Sequence, residues 1–189
     1  GSATNVADTA TGNNPIAAGY KVMHGEEDVT ANYTITTAAG TLTINPKAVT
    51  VTAKSEAFTY DGNAHSNAGY DVDGLVGDDA ISAVVTGSIT FPSESPVTNT
   101  LTSYEFTTGT PGNYSVTTAN GQLTMTNAEV AITITAASDS KTYDGSALTN
   151  STVTVTSGSL LTGDTLVATA TGSATNVADT ATGNNPIAA

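Results

Sequence analysis

Residues Gly1–Ala18 (GSATNVADTATGNNPIAA) recur letter for letter as Gly172–Ala189, an offset of 171 residues. An identity of that length marks a tandem duplication, so the chain reads as slightly more than one period of a repeating array. Gly1-Ser2 resembles a cloning scar, but Gly172-Ser173 repeats it, and the pair belongs to the repeat. The ends are therefore expected to be cuts through a continuing array. The lack of a start methionine or targeting segment then carries no weight.

A second, more divergent repeat lies inside the period. Ala48–Gly62 (AVTVTAKSEAFTYDG) aligns without gaps to Ala131–Gly145 (AITITAASDSKTYDG), and Leu75–Ser88 aligns to Leu160–Ser173, placing Asp79 over Asp164 and Gly87 over Gly172. Asn113–Thr126 (NYSVTTANGQLTMT) lies over Asn32–Asn45 (NYTITTAAGTLTIN), near the start of the chain. The order of these blocks divides the chain into three. Residues 47–127 hold one complete first-type module, 128–189 the front of a second type, and 1–46 the back of that second type. Joined as 128–189 plus 19–46, the second type has 90 residues against 81 for the first.

Threonine makes up about a fifth of the chain, a usage suited to half-buried pleated surfaces. The period-two pattern supports the same class. Val49, Val51 and Ala53 alternate with Thr50 and Thr52, and Ile132 and Ile134 alternate with Thr133 and Thr135. Thr152–Thr156 repeats the alternation, Tyr104 and Phe106 flank Glu105, and Ser82–Thr86 and Leu166–Thr171 are weaker strand candidates. The tail block predicts a hairpin, Tyr114–Thr118 and Leu123–Thr126 around Asn120-Gly121, because Asn-Gly supplies the positive φ of a type I′ turn. Ala39-Gly40 takes that place in the other copy. No stretch has a helical period, so the expected fold is all-β. The junctions at Pro46-Lys47 and Asn127–Glu129 are too short for flexible tethers, so neighbouring modules should abut as a stiff rod.

TYDG at Thr59–Gly62 and Thr142–Gly145, the aspartate ahead of a strand ending in TGS, and the NY-S/T-V/I-TT tail together resemble the MBG/YDG-type repeats of large bacterial surface adhesins. Lys21–Ile44 is especially similar to the tail of such modules, and the resemblance covers nearly the whole chain. It implies tandem β-sandwich-like modules, Ig-like or helix-poor β-grasp, in an elongated array. It also implies an extracellular protein attached to the bacterial surface in many module copies.

The chemistry-bearing residues are few. Tyr60-Asp61-Gly62 would suit a saccharide contact, but the preferred assignment is structural: Tyr60 packs its ring, Asp61 caps a turn, and Gly62 takes a backbone conformation that other residues avoid. Asp71, Asp73, Asp78 and Asp79 form an acidic cluster with a D-x-D-G start, yet lack the loop with a terminal bidentate Glu. The aligned stretch of the second module keeps only Asp164, so a solvated acidic loop is expected there rather than a calcium site. His24 and His65 offer no zinc spacing without cysteine. Lys47 and Lys54 align with Val130 and Ala137, so a crosslink shared by both modules is not expected. Thr152, Thr154 and Thr156 recur too rarely for an ice-binding ladder and read as an exposed strand face. No Ser/His/Asp set recurs, so no catalytic, cofactor or metal residue is assigned and no enzyme is expected.

The net charge of −13 with four Lys and Arg argues against nucleic acid, which needs a basic face. No apolar run approaches the ~20 residues of a membrane span. The absence of cysteine suits a secreted chain without disulfides and equally a cytosolic one. The leading expectation is a structural stalk repeat of a cell-surface adhesin or extracellular fibre. The alternative is a multivalent module that binds a glycan or host protein. The expected partners are neighbouring modules, with head-to-tail strand complementation between the split ends, and no ligand is named.

Overall fold

A computed structural model describes residues 1–188. Along the chain the strands are β1 Met23–His24, β2 Glu27–Asp28, β3 Lys47–Ala53, β4 Glu56–Thr59, β5 Tyr70–Asp73 and β6 Ala80–Thr86. They continue as β7 Val97–Thr108, β8 Tyr114–Ala119, β9 Gly121–Thr126, β10 Thr133–Ala136 and β11 Val153–Ser157. The described residues contain single 3₁₀ turns and no α-helix, so the protein is all-β. They form two compact units: 1–55, 67–87 and 98–122 in one, and 56–66, 88–97 and 123 onward in the other. The first-type module contributes to both.

In the first unit β3 is the middle strand of the sheet β5-β3-β8. It runs antiparallel to β5, with Val51 opposite Val72, and parallel to β8, with Val49 opposite Val116. The threonine alternation has the predicted consequence: Val49, Val51 and Ala53 point inward and are 2 % exposed or less. Ile81 completes this core, with Val72, Leu101, Phe106 and Tyr114 packed against it. β6 runs antiparallel to β7, placing Ile81 opposite Phe106, with register shifts at Ala80/Ile81 and Val84/Val85.

In the second unit β4 runs parallel to β9, with Phe58 opposite Met125. Ile89, Leu123 and Met125 form its core with Phe58, Tyr60 and Val97. β10 and β11 form a separate antiparallel pair. From Ile134 to Ala136 its register copies β3/β5, Ile134 opposite Val155 as Val51 is opposite Val72, and it shifts at Thr133, which faces Ser157. The front of the second-type module thus starts like the first-type module.

Three sequence expectations are corrected. The segments β8 and β9 are strands, but they are not a hairpin, since β8 pairs with β3 and β9 with β4. Neither Asn120 nor Gly121 has positive φ, so no type I′ turn forms. Asn120 instead accepts a hydrogen bond from the Leu101 N–H through its side-chain oxygen (3.0 Å), and Gly121 is required by proximity. A Cβ on Gly121 would lie 2.3 Å from the Lys54 carbonyl oxygen and 2.6 Å from that of Ala53.

The aligned tail at 32–45 forms no strand, and Gly40 makes only an isolated bridge to Asn14. In the complete module β8 draws its ladder bonds from β3, and β9 lies between β4 and β7. Leu166–Thr171 likewise forms no strand, only a bridge from Ala170 to Ile187. Conversely, β4 and β5 were not anticipated. The alternation of Tyr70 and Val72 with Asp71 and Asp73 puts the acidic residues on the outer face of a strand.

Candidate functional site: the module junctions

Some of the chemistry-bearing residues of the sequence make contacts, within one compact unit, across the expected boundaries at 46/47 and 127/128. In the second unit, the TYDG loop of the first-type module lies against the Leu161–Asp164 turn of the module that follows. Tyr60 packs its ring on the Ile89, Leu123 and Met125 core, with Phe91 tilted at 6.2 Å. Its phenol donates to Asp164, and this hydrogen bond to a carboxylate pushes the phenol above its usual pKa range.

Asp61 caps the turn by accepting from the Asn63 N–H at 2.9 Å, and it also meets His65 Nε2 at 2.9 Å. These bonds, that from His65 foremost, hold its carboxyl below the usual range. His65 stacks on Phe58 at 4.6 Å, so the surface role expected for it is more specific than solvation. Gly62 has φ +84°, a region that favours glycine. A Cβ there would also sit 2.0 Å from the Thr162 carbonyl oxygen. The three structural roles expected of Tyr60, Asp61 and Gly62 are all present, and two of them face the next module.

The second TYDG copy has the same local turn. Asp144 accepts from the Ser146 N–H at 2.9 Å as Asp61 does from Asn63. Lys141 Nζ at 2.8 Å, with that N–H and the Ser146 hydroxyl, holds the Asp144 carboxyl well below the ordinary carboxylate range. Tyr143, however, is 61 % exposed, and a Cβ on Gly145 would meet nothing within 4 Å. The motif thus forms its turn by itself, with Tyr60 half-buried against the core of its own module and Tyr143 left exposed.

In the first unit, the preceding module meets the first-type module through asparagine. Asn113 accepts from the Val6 N–H at 2.9 Å and donates from Nδ2 to Asn5 Oδ1 at 2.8 Å. Asp8 braces the same turn, accepting at 2.7 Å from both the Thr4 and Asn5 N–H groups. These two backbone donors, Asn5 first, lower its pKa. Asp179 repeats the bracing at Thr175 and Asn176.

Two asparagines not singled out in the sequence reading make paired bonds to main-chain carbonyls. Asn99 is fully buried, and its Nδ2 donates to the Lys54 and Asn67 carbonyls at 2.8 Å each. Asn185 donates in the same way to the Ala137 and Asn150 carbonyls, at 3.0 and 2.9 Å. The aligned glycines lie on them: a Cβ at Gly87 or Gly172 would come within 2.6 or 2.7 Å of the respective Oδ1. The recurrence of Gly87 with Asn99 and of Gly172 with Asn185 was the available signal, hidden by a one-residue difference in spacing.

The other candidates are placed apart. Asp71 pairs with Lys54 Nζ at 3.2 Å on an exposed surface, which adds little to stability. Asp79 accepts from the Tyr114 phenol, whose pKa rises for the same reason as that of Tyr60. Among the described residues no three His, Cys, Asp or Glu side chains are grouped to hold a metal ion. The Thr156 hydroxyl meets that of Thr135 across the strands at 2.8 Å, and His24 is exposed on β1. No helix among the described residues is long and apolar enough to cross a membrane. No protein-family model, curated protein or solved structure matches the chain.

Proposed function

We propose that the chain is a stretch of the repetitive stalk of a bacterial surface adhesin or extracellular fibre, in which abutting MBG/YDG-type modules transmit tension between the cell and a distal element. The parallel pairing of a module's first strands with its last carries this reading. β3, where the chain enters the first-type module, lies parallel to β8 over Lys47–Thr52 and Tyr114–Ala119. β4 lies parallel to β9, where the chain leaves. Tension between the entry and exit of a parallel pair loads its hydrogen bonds together in shear, whereas an antiparallel hairpin pulled at its open end loses them one by one. The junction contacts of Tyr60 and Gly62 with Asp164 and Thr162, and of Asn113 with Asn5 and Val6, support modules that abut without a tether. The 171-residue duplication supports an array.

Small-angle scattering from chains of one, two and three periods tests the stalk directly. The maximum dimension is expected to grow by an equal increment with each period while the cross-section stays constant. A radius of gyration that grows as for a compact globule would contradict it.

A further inference from the structure

The two module types share one short turn and fill it differently. Thr4–Thr9 of the second type aligns with Thr90–Ser95 of the first, each following a Gly-Ser pair, Gly1-Ser2 and Gly87-Ser88. Both are single 3₁₀ turns, at Val6–Asp8 and Pro92–Glu94. Both are braced by an acid that takes two backbone N–H groups. Asp8 accepts from Thr4 and Asn5 at 2.7 Å, and Glu94 accepts from Thr90 and Phe91 at 2.7 and 2.9 Å. The turns match bond for bond, while the residues they present are Asn5-Val6 in one and Phe91-Pro92 in the other.

Asn113 of the first-type module reads that difference. Its Oδ1 accepts from the Val6 N–H at 2.9 Å, and its Nδ2 donates to Asn5 Oδ1 at 2.8 Å. A first-type turn in the same place offers neither group: Pro92 has no N–H, and the Phe91 side chain has no acceptor. Both ends of the half-buried Asn113 amide would then lose their partners, which costs more than the bonds themselves contribute. In its own module Phe91 has another use, tilted over the Tyr60 ring at 6.2 Å.

The contact at the other junction discriminates by the hand of a turn. The Asp164 N–H closes a turn on the Leu161 carbonyl at 3.1 Å, and the aligned Asp79 N–H closes one on the Val76 carbonyl at 3.2 Å. In 161–164 the second central residue, Gly163, has φ +82°, the arrangement of a type II turn. In 76–79 it is the first central residue, Gly77, that has positive φ, at +59°, the arrangement of the mirror-image type II′. Mirror-image turns point their central carbonyl to opposite faces. The central carbonyl of 161–164 is that of Thr162, and it fills the place beside Gly62 that a side chain would take, 2.0 Å from an added Cβ. A first-type turn would direct its central carbonyl, that of Gly77, away from Gly62.

We propose that these two contacts fix the order of modules: the first-type module accepts a second-type module before it, through Asn113, and a second-type module after it, through Gly62, and rejects a copy of itself at both. Asn5-Val6 and Thr162-Gly163 are the pairs that determine specificity. One contact reads a paired amide and the other the hand of a turn, so neither follows from the other. The inference rests on the abutting modules of the stalk reading, and it concerns which module follows which, not the shape of the array.

The test replaces each pair by a first-type counterpart in the full 189-residue chain. Asn5→Phe with Val6→Pro keeps the local turn, since Glu94 braces the same turn around Phe91 and Pro92. It should speed hydrogen exchange of the Asn113 side-chain amide more than about tenfold and leave that of Asn99, bonded inside the module, unchanged. Thr162→Gly with Gly163→Asn gives the Gly-Asn centre of a type II′ turn without adding a charge. The Tyr60 phenol, held above its usual pKa range by Asp164, should then fall toward that range in an NMR titration of its Cζ. Tyr114, bonded to Asp79 of its own module, should stay raised and so report an intact fold. Asn113 exchange unchanged by the first replacement would overturn the rule at the front of the module, and a Tyr60 titration unchanged by the second would overturn it at the back. A rod in scattering with neither replacement acting would remove the rule and leave the stalk. Both replacements acting in an array that scatters as a globule would do the reverse.

Discussion

Gly121→Ala is expected to destabilise the first-type module by about 3 kcal/mol, with Gly40→Ala at the aligned position changing stability by less than about 0.5 kcal/mol. Gly121 has no positive φ, so the effect does not come from backbone conformation. It comes from a Cβ placed 2.3 and 2.6 Å from two carbonyl oxygens of the β3–β4 corner, which belong to the backbone and cannot rotate away. The strand β9 must shift, pulling Leu123, fully buried, and Met125 out of register with Ile89. Gly40 meets nothing closer than 3.7 Å. Denaturant unfolding of the two variants beside the parent measures the contrast, and equal effects at both positions would refute the β9 placement.

Asn99→Leu is expected to destabilise by about 2–4 kcal/mol, although it puts an apolar residue of similar volume in a fully buried site. The Nδ2 group donates to two carbonyls at once, those of Lys54 and Asn67, and leucine removes that donor from each. Part of the loss is offset because Asn99 Oδ1 itself is buried without a partner. Asn99→Asp should be worse than leucine, since it removes the same donors and adds a charge to a site with no exposure. Thermal melts of the three proteins decide the order. A leucine variant as stable as the parent would show that the two carbonyls find other donors.

How far the sequence foretold this fold varies with the range of the interaction. Alternation with threonine marked β3, β10 and β11, because burial of one face of a strand is written in neighbouring residues, whereas β6 was only a weaker candidate. The Tyr-Asp-Gly turn was equally legible: Asp61 bonds two residues ahead, and Gly62 needs its φ whatever the rest of the chain does. Asn120-Gly121 misled for the opposite reason. The dipeptide suits a type I′ turn, but β8 and β9 have stronger partners in β3 and β4, which lie 67 residues earlier in register. That long-range pairing leaves Gly121 to solve a close approach and Asn120 to cap Leu101.

β5 was lost to its acidic residues, whose outward placement is the reason they are tolerated. At the candidate site, the turn residues were foreseen, but their second partners, Thr162 and Asp164 of the next module, were not. Nothing in TYDG names the surface it meets. Asn99 and Asn185 looked like ordinary polar residues of threonine-rich loops, and only their bonds to paired carbonyls distinguish them.

Single-molecule pulling on a chain of several periods tests the central claim most directly. If the parallel pairs β3/β8 and β4/β9 carry tension in shear, extension should produce discrete force peaks rather than a low plateau. Two released lengths should recur, up to about 280 Å for the 81-residue module and about 310 Å for the 90-residue one. Gly121→Ala should lower the peaks of the shorter class alone. A featureless extension at low force, or one released length for the whole period, would contradict the account.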